Sequence, residues 1–152
     1  MNIHFRIIFL LSLFLIFSIS AQAKPTEDLV KAFISASEKT RQPDMKKEDL
    51  ESYLAFMSDE VIDYHAAYGR TFTGKEHFRK GIVKKAASMI SMSENIENIE
   101  NIVLGSNTAV VVVNEDSKYH KNGAIKHFKG RTILVLEFNE QGLISQMRRY
   151  LD

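Results

Sequence analysis

The pair Asn122-Gly123 most constrains this chain. It lies between two runs rich in β-branched and aromatic residues, one beginning at Thr108 and the other at Ala124. A two-residue loop of this kind favours a type I′ turn, which sets the register of the strands on either side. Lys121 then pairs with Ala124, His120 with Ile125, and Lys118 with His127. The stretch TAVVVVN, residues 108–114, is apolar at consecutive positions, as in a strand covered on both faces. A further strand passes through Tyr119 to the Asn-Gly turn. The return strand runs from Ala124 to Phe138, with a bend expected at Gly130. Glu140-Gln141-Gly142 makes another tight turn, and Leu143–Leu151 comes back as the last strand.

The first half reads differently. Leu29, Val30, Phe33, Ile34 and Ala36 have helical spacing over Thr26–Lys39. Thr26 is placed to cap this helix, with Glu27 and Asp28 in its first turn. Pro43 breaks it. Leu50, Tyr53, Leu54 and Met57 form the stripe of a second helix over Lys46–Met57, ended by Ser58-Asp59-Glu60. Val61–His65 reads as a strand. A third helix follows a cap at Thr73 or Gly74, with Phe78, Ile82, Val83, Ala86 and Met89 or Ile90 on its apolar face. Gly81 weakens it by about 1 kcal/mol relative to Ala. The repeat ENIENIENI, residues 94–102, has a period of three, which suits neither helix nor strand. With strands following it, Ile96–Leu104 is expected to be a strand of irregular facing. Helix, helix, strand, helix and then serial hairpins describe an α+β domain. The expected architecture is a strongly curved antiparallel sheet wrapped around the N-terminal helices, with a conical interior.

Residues 1–23 are expected to be a secretory signal. Arg6 supplies the positive region, Ile7–Ile19 the apolar one, and Ala21-Gln22-Ala23 a small-x-small cleavage site. The domain would then be residues 24–152, in the periplasm or outside the cell, with no membrane attachment after cleavage. The chain has 20 basic and 19 acidic residues, and loss of Arg6 leaves 19 of each. No basic excess points to nucleic acid or anionic lipid. Cysteine is absent, which excludes disulfides, thiol chemistry and Cys-ligated zinc.

Several segments together resemble the nuclear transport factor 2-like superfamily, and within it the SnoaL-like group, which includes ketosteroid isomerase-like proteins. They are SDEVIDYHAAYG (58–69), FTGKEHFRKGI (72–82), SNTAVVVV (106–113) and the closing RTILVLEFNEQGLISQMRRYLD (131–152). The resemblance spans roughly Thr26–Asp152. It implies a cone-shaped fold, a small-molecule pocket, a homodimer through the exposed sheet face, and no cofactor. Fold alone does not set activity in such a group. The resemblance puts His65 where the isomerases carry a general-base aspartate, and a neutral imidazole can serve as a base near neutral pH. It puts Leu134 and Phe33 where those enzymes carry oxyanion donors. Neither can donate, which speaks against steroid-isomerase chemistry.

Asp63 and His65, two apart on a strand, share a face, so Asp63 can orient the imidazole. Tyr53, Phe56, Tyr68, Phe72 and Phe78 are candidates for an apolar pocket wall. Arg131, Arg148 and Arg149 lie on the closing hairpin, and one pointing inward can bind a carboxylate. Arg131 and Tyr150 are taken as pocket candidates. His77, His120 and His127 are scattered, so no metal centre is expected. No phosphate-binding loop, nucleophile elbow or dinucleotide fingerprint occurs. Three functions fit. One is an exported pocket domain that binds a small, largely apolar molecule. Another is a cofactor-independent isomerase, cyclase or dehydratase with His65 as base. The third is an interaction protein whose pocket is filled by its own side chains.

Overall fold

The computed structural model describes residues 24–93 and 98–152. The expected signal segment and residues 94–97 of the ENI repeat lie outside the described residues. Helix α1 (Glu27–Lys39) starts at Thr26, whose hydroxyl accepts a hydrogen bond from the Leu29 N–H at 3.2 Å. Helix α2 (Lys47–Leu54) is shorter than its apolar stripe suggests. Met57 instead opens strand β1 (Met57–His65), and the acidic residues Asp59 and Glu60 are exposed strand positions. Pairing with the last strand decides this: Met57 lies opposite Ile144, and the Ile144 N–H donates to the Phe56 carbonyl at 2.8 Å. Tertiary hydrogen bonding outweighs local helix preference there.

The segment after His65 is a hairpin, with a single 3₁₀ turn at Ala66–Tyr68 leading into strand β2 (Arg70–Thr73). Gly74 caps helix α3 (Lys75–Ala86). That helix stops at Ala86, so Met89 and Ile90 belong to strand β3 (Met89–Ser93) rather than to its apolar face. Ser88 marks the break, with its N–H and hydroxyl both donating to the Lys85 carbonyl. Strands β4 (Ile99–Leu104), β5 (Thr108–Lys121), β6 (Ala124–Phe138) and β7 (Ile144–Leu151) complete the chain. The β5–β6 turn has positive φ at Asn122 (54°) and Gly123 (77°), and Lys121–Ala124, His120–Ile125 and Lys118–His127 pair as the turn chemistry requires.

The seven strands form one curved, unclosed sheet in the order β2-β1-β7-β6-β5-β3, with β4 pairing a different part of β5. The expected α+β cone is present, but the sheet is not wholly antiparallel, because β1 and β7 run parallel. These strands come from opposite ends of the domain, and the intervening chain is long enough for the crossover that parallel neighbours need. The core lies on the concave side. Val30, Phe33 and Ile34 of α1 and Leu50, Tyr53 and Leu54 of α2 pack on Val61, Val111, Leu134, Leu136 and Met147 of the sheet. Only alternate residues of the valine run are fully buried. Ala109, Val111 and Val113 point inward, while Val110 and Val112 are half-buried on the convex face. Burial on both faces was expected. No helix layer covers the convex face among the described residues.

Candidate functional site

The parallel β1–β7 pair builds the site. Val61, Asp63 and His65 alternate onto the concave face of β1, and Met147 and Arg149 onto that of β7. Asp63 lies opposite Met147 and His65 opposite Arg149. Arg149 therefore stands one step beyond Asp63 and reaches back to it. Its Nε donates to both carboxylate oxygens, at 3.0 and 3.2 Å, and its Nη2 donates to the Tyr53 hydroxyl at 3.4 Å. His65 Nε2 lies 2.8 Å from Asp63 Oδ2. Asp63 is only 4% exposed, so two partners share a carboxylate almost wholly removed from water.

Burial pushes the Asp63 carboxyl up. The Arg149 charge, the His65 hydrogen bond and charge, and the Arg149 hydrogen bond outweigh that effect and leave it below its ordinary value. Asp63 is therefore ionised at neutral pH and can only accept hydrogen bonds. His65 Nε2 must carry the proton it shares with Asp63, and in the neutral ring Nδ1 is then an unprotonated acceptor. Aromatic rings hold the imidazole from two sides. Tyr68 stacks with it at 6.2 Å between centroids, and Phe72 meets it edge-on at 5.5 Å. Phe72 in turn stacks on His77 at 4.5 Å.

His65 lines two adjoining chambers. The inner one, of about 230 Å³, lies beneath α3 and is walled by Tyr53, Asp63, Phe72, His77, Phe78 and Ile82, among others. The outer one, of about 390 Å³, opens along β5 and β6 past Tyr68, Ser117, Tyr119 and Phe128. Gly130 leaves room for the Phe128 ring, since a Cβ there would sit 3.0 Å from its Cζ. A second polar group faces the outer chamber. Glu115 accepts from the Ser117 hydroxyl at 3.1 Å through Oε1 and from the Thr132 hydroxyl at 3.5 Å through Oε2, and Arg41 Nη1 lies 3.6 Å from that same Oε2. A larger depression of about 650 Å³ lies between α2, α3 and β1. Both of its cations are paired with carboxylates of the same wall, Arg79 with Glu51 and Glu76, and Lys75 with Asp59.

The structure brings together Asp63, His65, Tyr53, Phe78 and Tyr68 around the chambers, Tyr68 at 68% exposure on the rim. Three other candidates lie elsewhere. Phe56 packs edge-on against Phe33 at 5.9 Å, in the core margin. Tyr150 is on the convex face. Arg131 also projects from that face, where it bonds Glu100 at 3.0 Å and Asp152 at 2.9 Å. Leu134 and Phe33 are buried core residues. Among the three hairpin arginines, Arg149 points inward, and Arg148 pairs with Glu137 at 2.9 Å on the convex face. Arg41, Lys85, His77 and Glu115 were not foreseen as site residues. Alternation along β7 did not single out Arg149, because Met147 on its face and Ile144 at the opposite parity are both apolar and both buried. Among the described residues no cluster of three or more potential metal ligands occurs.

Comparison with solved structures matches this arrangement of sheet and helices. A candidate SnoaL-like polyketide cyclase from Shewanella denitrificans superposes with a TM-score of 0.66 at 13% identity, covering 82% of this chain and 88% of that one. This chain has the nuclear transport factor 2-like fold. A hypothetical protein with a ketosteroid isomerase-like fold from Catenulispora acidiphila, in complex with trimethylamine, gives 0.61 at 16% identity over 83% and 86% of the two chains. TerC, co-crystallised with polyporic acid, gives 0.60 at 14% identity over 82% and 91%. No protein-family model and no curated protein matches the sequence.

Proposed function

We propose that the protein is an exported pocket domain that binds a small molecule in the two joined chambers, against His65. The observation that carries this reading is the pair of cavities, about 230 and 390 Å³, meeting at a carboxylate–imidazole pair. Pockets of this size and mixed lining are typical of small-molecule sites. The same cavities count against a pocket filled by the chain's own side chains. Small molecules also accompany two structures of similar fold, trimethylamine in one and polyporic acid in the other. Export is supported by the pattern of residues 1–23. A homodimer through the convex sheet face is supported by its apolar residues, Val103, Val110, Val112, Ile133, Val135 and Tyr150, of which Val103 is 56% exposed.

The geometry of His65 favours one second reading, a cofactor-independent isomerase, cyclase or dehydratase. Its Nδ1 lone pair takes a proton from a carbon acid in the chamber. The resulting imidazolium keeps its Nε2–H on Asp63, and the negative charge left on the substrate faces the cations of the same walls. A ligand-observed NMR screen of small aromatic and alicyclic compounds tests the binding reading. Hits that His65→Ala weakens are expected. A protein that binds nothing in the chambers would refute it. The enzyme reading requires in addition that a hit exchange its acidic C–H for deuterium with wild-type protein and not with His65→Ala.

A further inference from the structure

Two residues that line the inner chamber carry a hydroxyl, Thr40 and Tyr53, and both are buried, at 1% and 2% exposure. The Thr40 hydroxyl donates to the Ser37 carbonyl at 2.8 Å. The Tyr53 hydroxyl accepts from Arg149 Nη2 at 3.4 Å, and among the described residues no acceptor takes its own proton. Asp63, the carboxylate of the same chamber, accepts from Arg149 and His65 instead. The Tyr53 ring stacks on Phe33 at 5.3 Å between centroids, so packing fixes the hydroxyl oxygen and only its proton can swing. Leaving a buried donor without an acceptor costs about 1–3 kcal/mol. A phenylalanine would make the same stack without that cost, so packing alone does not account for the hydroxyl.

We infer that the Tyr53 hydroxyl is the donor of a carbonyl-binding subsite in the inner chamber, for an aromatic or alicyclic carbonyl compound whose apolar body rests on Phe72, Phe78 and Ile82. This deepens the small-molecule reading above and rests on it. A carbonyl oxygen accepts and does not donate, so it satisfies the Tyr53 proton and brings no further donor to the buried wall. The Arg149 contact on the hydroxyl oxygen polarises the O–H bond and strengthens it as a donor. Hydrogen bonds run in series from Tyr53 through Arg149 and Asp63 to His65. The donor for the ligand's oxygen and the imidazole are thus fixed by one network in the wall of one chamber.

Amide-detected NMR titration tests this with ketones and the hydrocarbons in which a methylene group replaces the carbonyl oxygen: cyclohexanone and methylenecyclohexane, acetophenone and α-methylstyrene, 1-indanone and 1-methyleneindane. With the wild type, the best ketone is expected to bind at least about tenfold more tightly than its hydrocarbon partner, which leaves the Tyr53 proton unpaired. Tyr53→Phe keeps the ring against Phe33 and is expected to bring the two within about twofold, by weakening the ketone and not the hydrocarbon. The infrared C=O stretch of the bound ketone, labelled with carbon-13, is expected at lower frequency than in alkane solvent, a readout that needs no variant. Equal binding of ketone and hydrocarbon by the wild type, an unshifted stretch, or a preference that survives Tyr53→Phe would overturn the subsite and leave the pocket reading intact. No pocket shifts with any of the six compounds would contradict both.

Discussion

Replacing Arg149 by Met removes the main counter-charge of Asp63 and little apolar volume. Asp63 is 4% exposed, and the Arg149 side chain 13%. Removing one partner of a buried ion pair typically costs about 3–5 kcal/mol, because the remaining charge stays desolvated and unmatched. Here His65 keeps its 2.8 Å contact with Asp63, so the lower end, about 3 kcal/mol at neutral pH, is expected. The pH dependence gives the sharper test. In the wild type the Asp63 carboxyl is depressed on folding, so its contribution is present above its unfolded value. It is lost as pH falls through the lower, folded value. In Arg149→Met burial is opposed by His65 alone, so the folded carboxyl lies higher than in the wild type. The variant then loses less stability than the wild type as pH falls, because its folded state takes up a proton at Asp63 more readily and relieves the poorly matched charge. Urea denaturation followed by circular dichroism should show the gap between the two proteins widest near pH 7 and narrowing towards about pH 5. Asp63→Asn combined with Arg149→Met should recover part of the loss and flatten the profile. A loss below about 1 kcal/mol, constant with pH, would show that this pair behaves like an exposed one and would refute the reasoning.

Two further outcomes follow from the fold and a third from the proposed dimer. Gly123→Ala forces a side chain into the φ of 77° at the β5–β6 turn and should cost about 1 kcal/mol in chemical denaturation. Leu134→Ala, at a site 1% exposed among core residues, should cost about 3 kcal/mol by the same assay, with no change in the convex face. Val112→Glu, on the convex face, should lower the mass measured by sedimentation velocity from dimer to monomer and leave the fold intact. A wild type that is monomeric at every concentration would refute that dimer.

Turn chemistry and alternation were legible because they act locally. Asn122-Gly123 gave the register of the longest hairpin residue by residue, and Thr26 gave the start of α1. The i, i+2 spacing of Asp63 and His65 was enough to put both on one face. Features set by tertiary pairing were not legible. Met57 and Met89 continue helical stripes in sequence, yet both are strand residues, because β7 and β5 offer them hydrogen-bonded neighbours. The parallel β1–β7 pair left no local mark, and it brings Arg149 to Asp63 across 86 positions. Arg131 and Tyr150 have the residue types of a pocket but the wrong parity. Arg41 and Lys85 sit at helix ends, where a basic residue reads simply as a favourable partner of the helix dipole.

Native mass spectrometry of the protein purified from its own host, with His65→Ala prepared alongside, addresses the pocket most directly. The account predicts a small molecule retained by the wild type and lost or weakened in the variant. Identical, ligand-free spectra for both proteins would contradict a binding role for the chambers around His65.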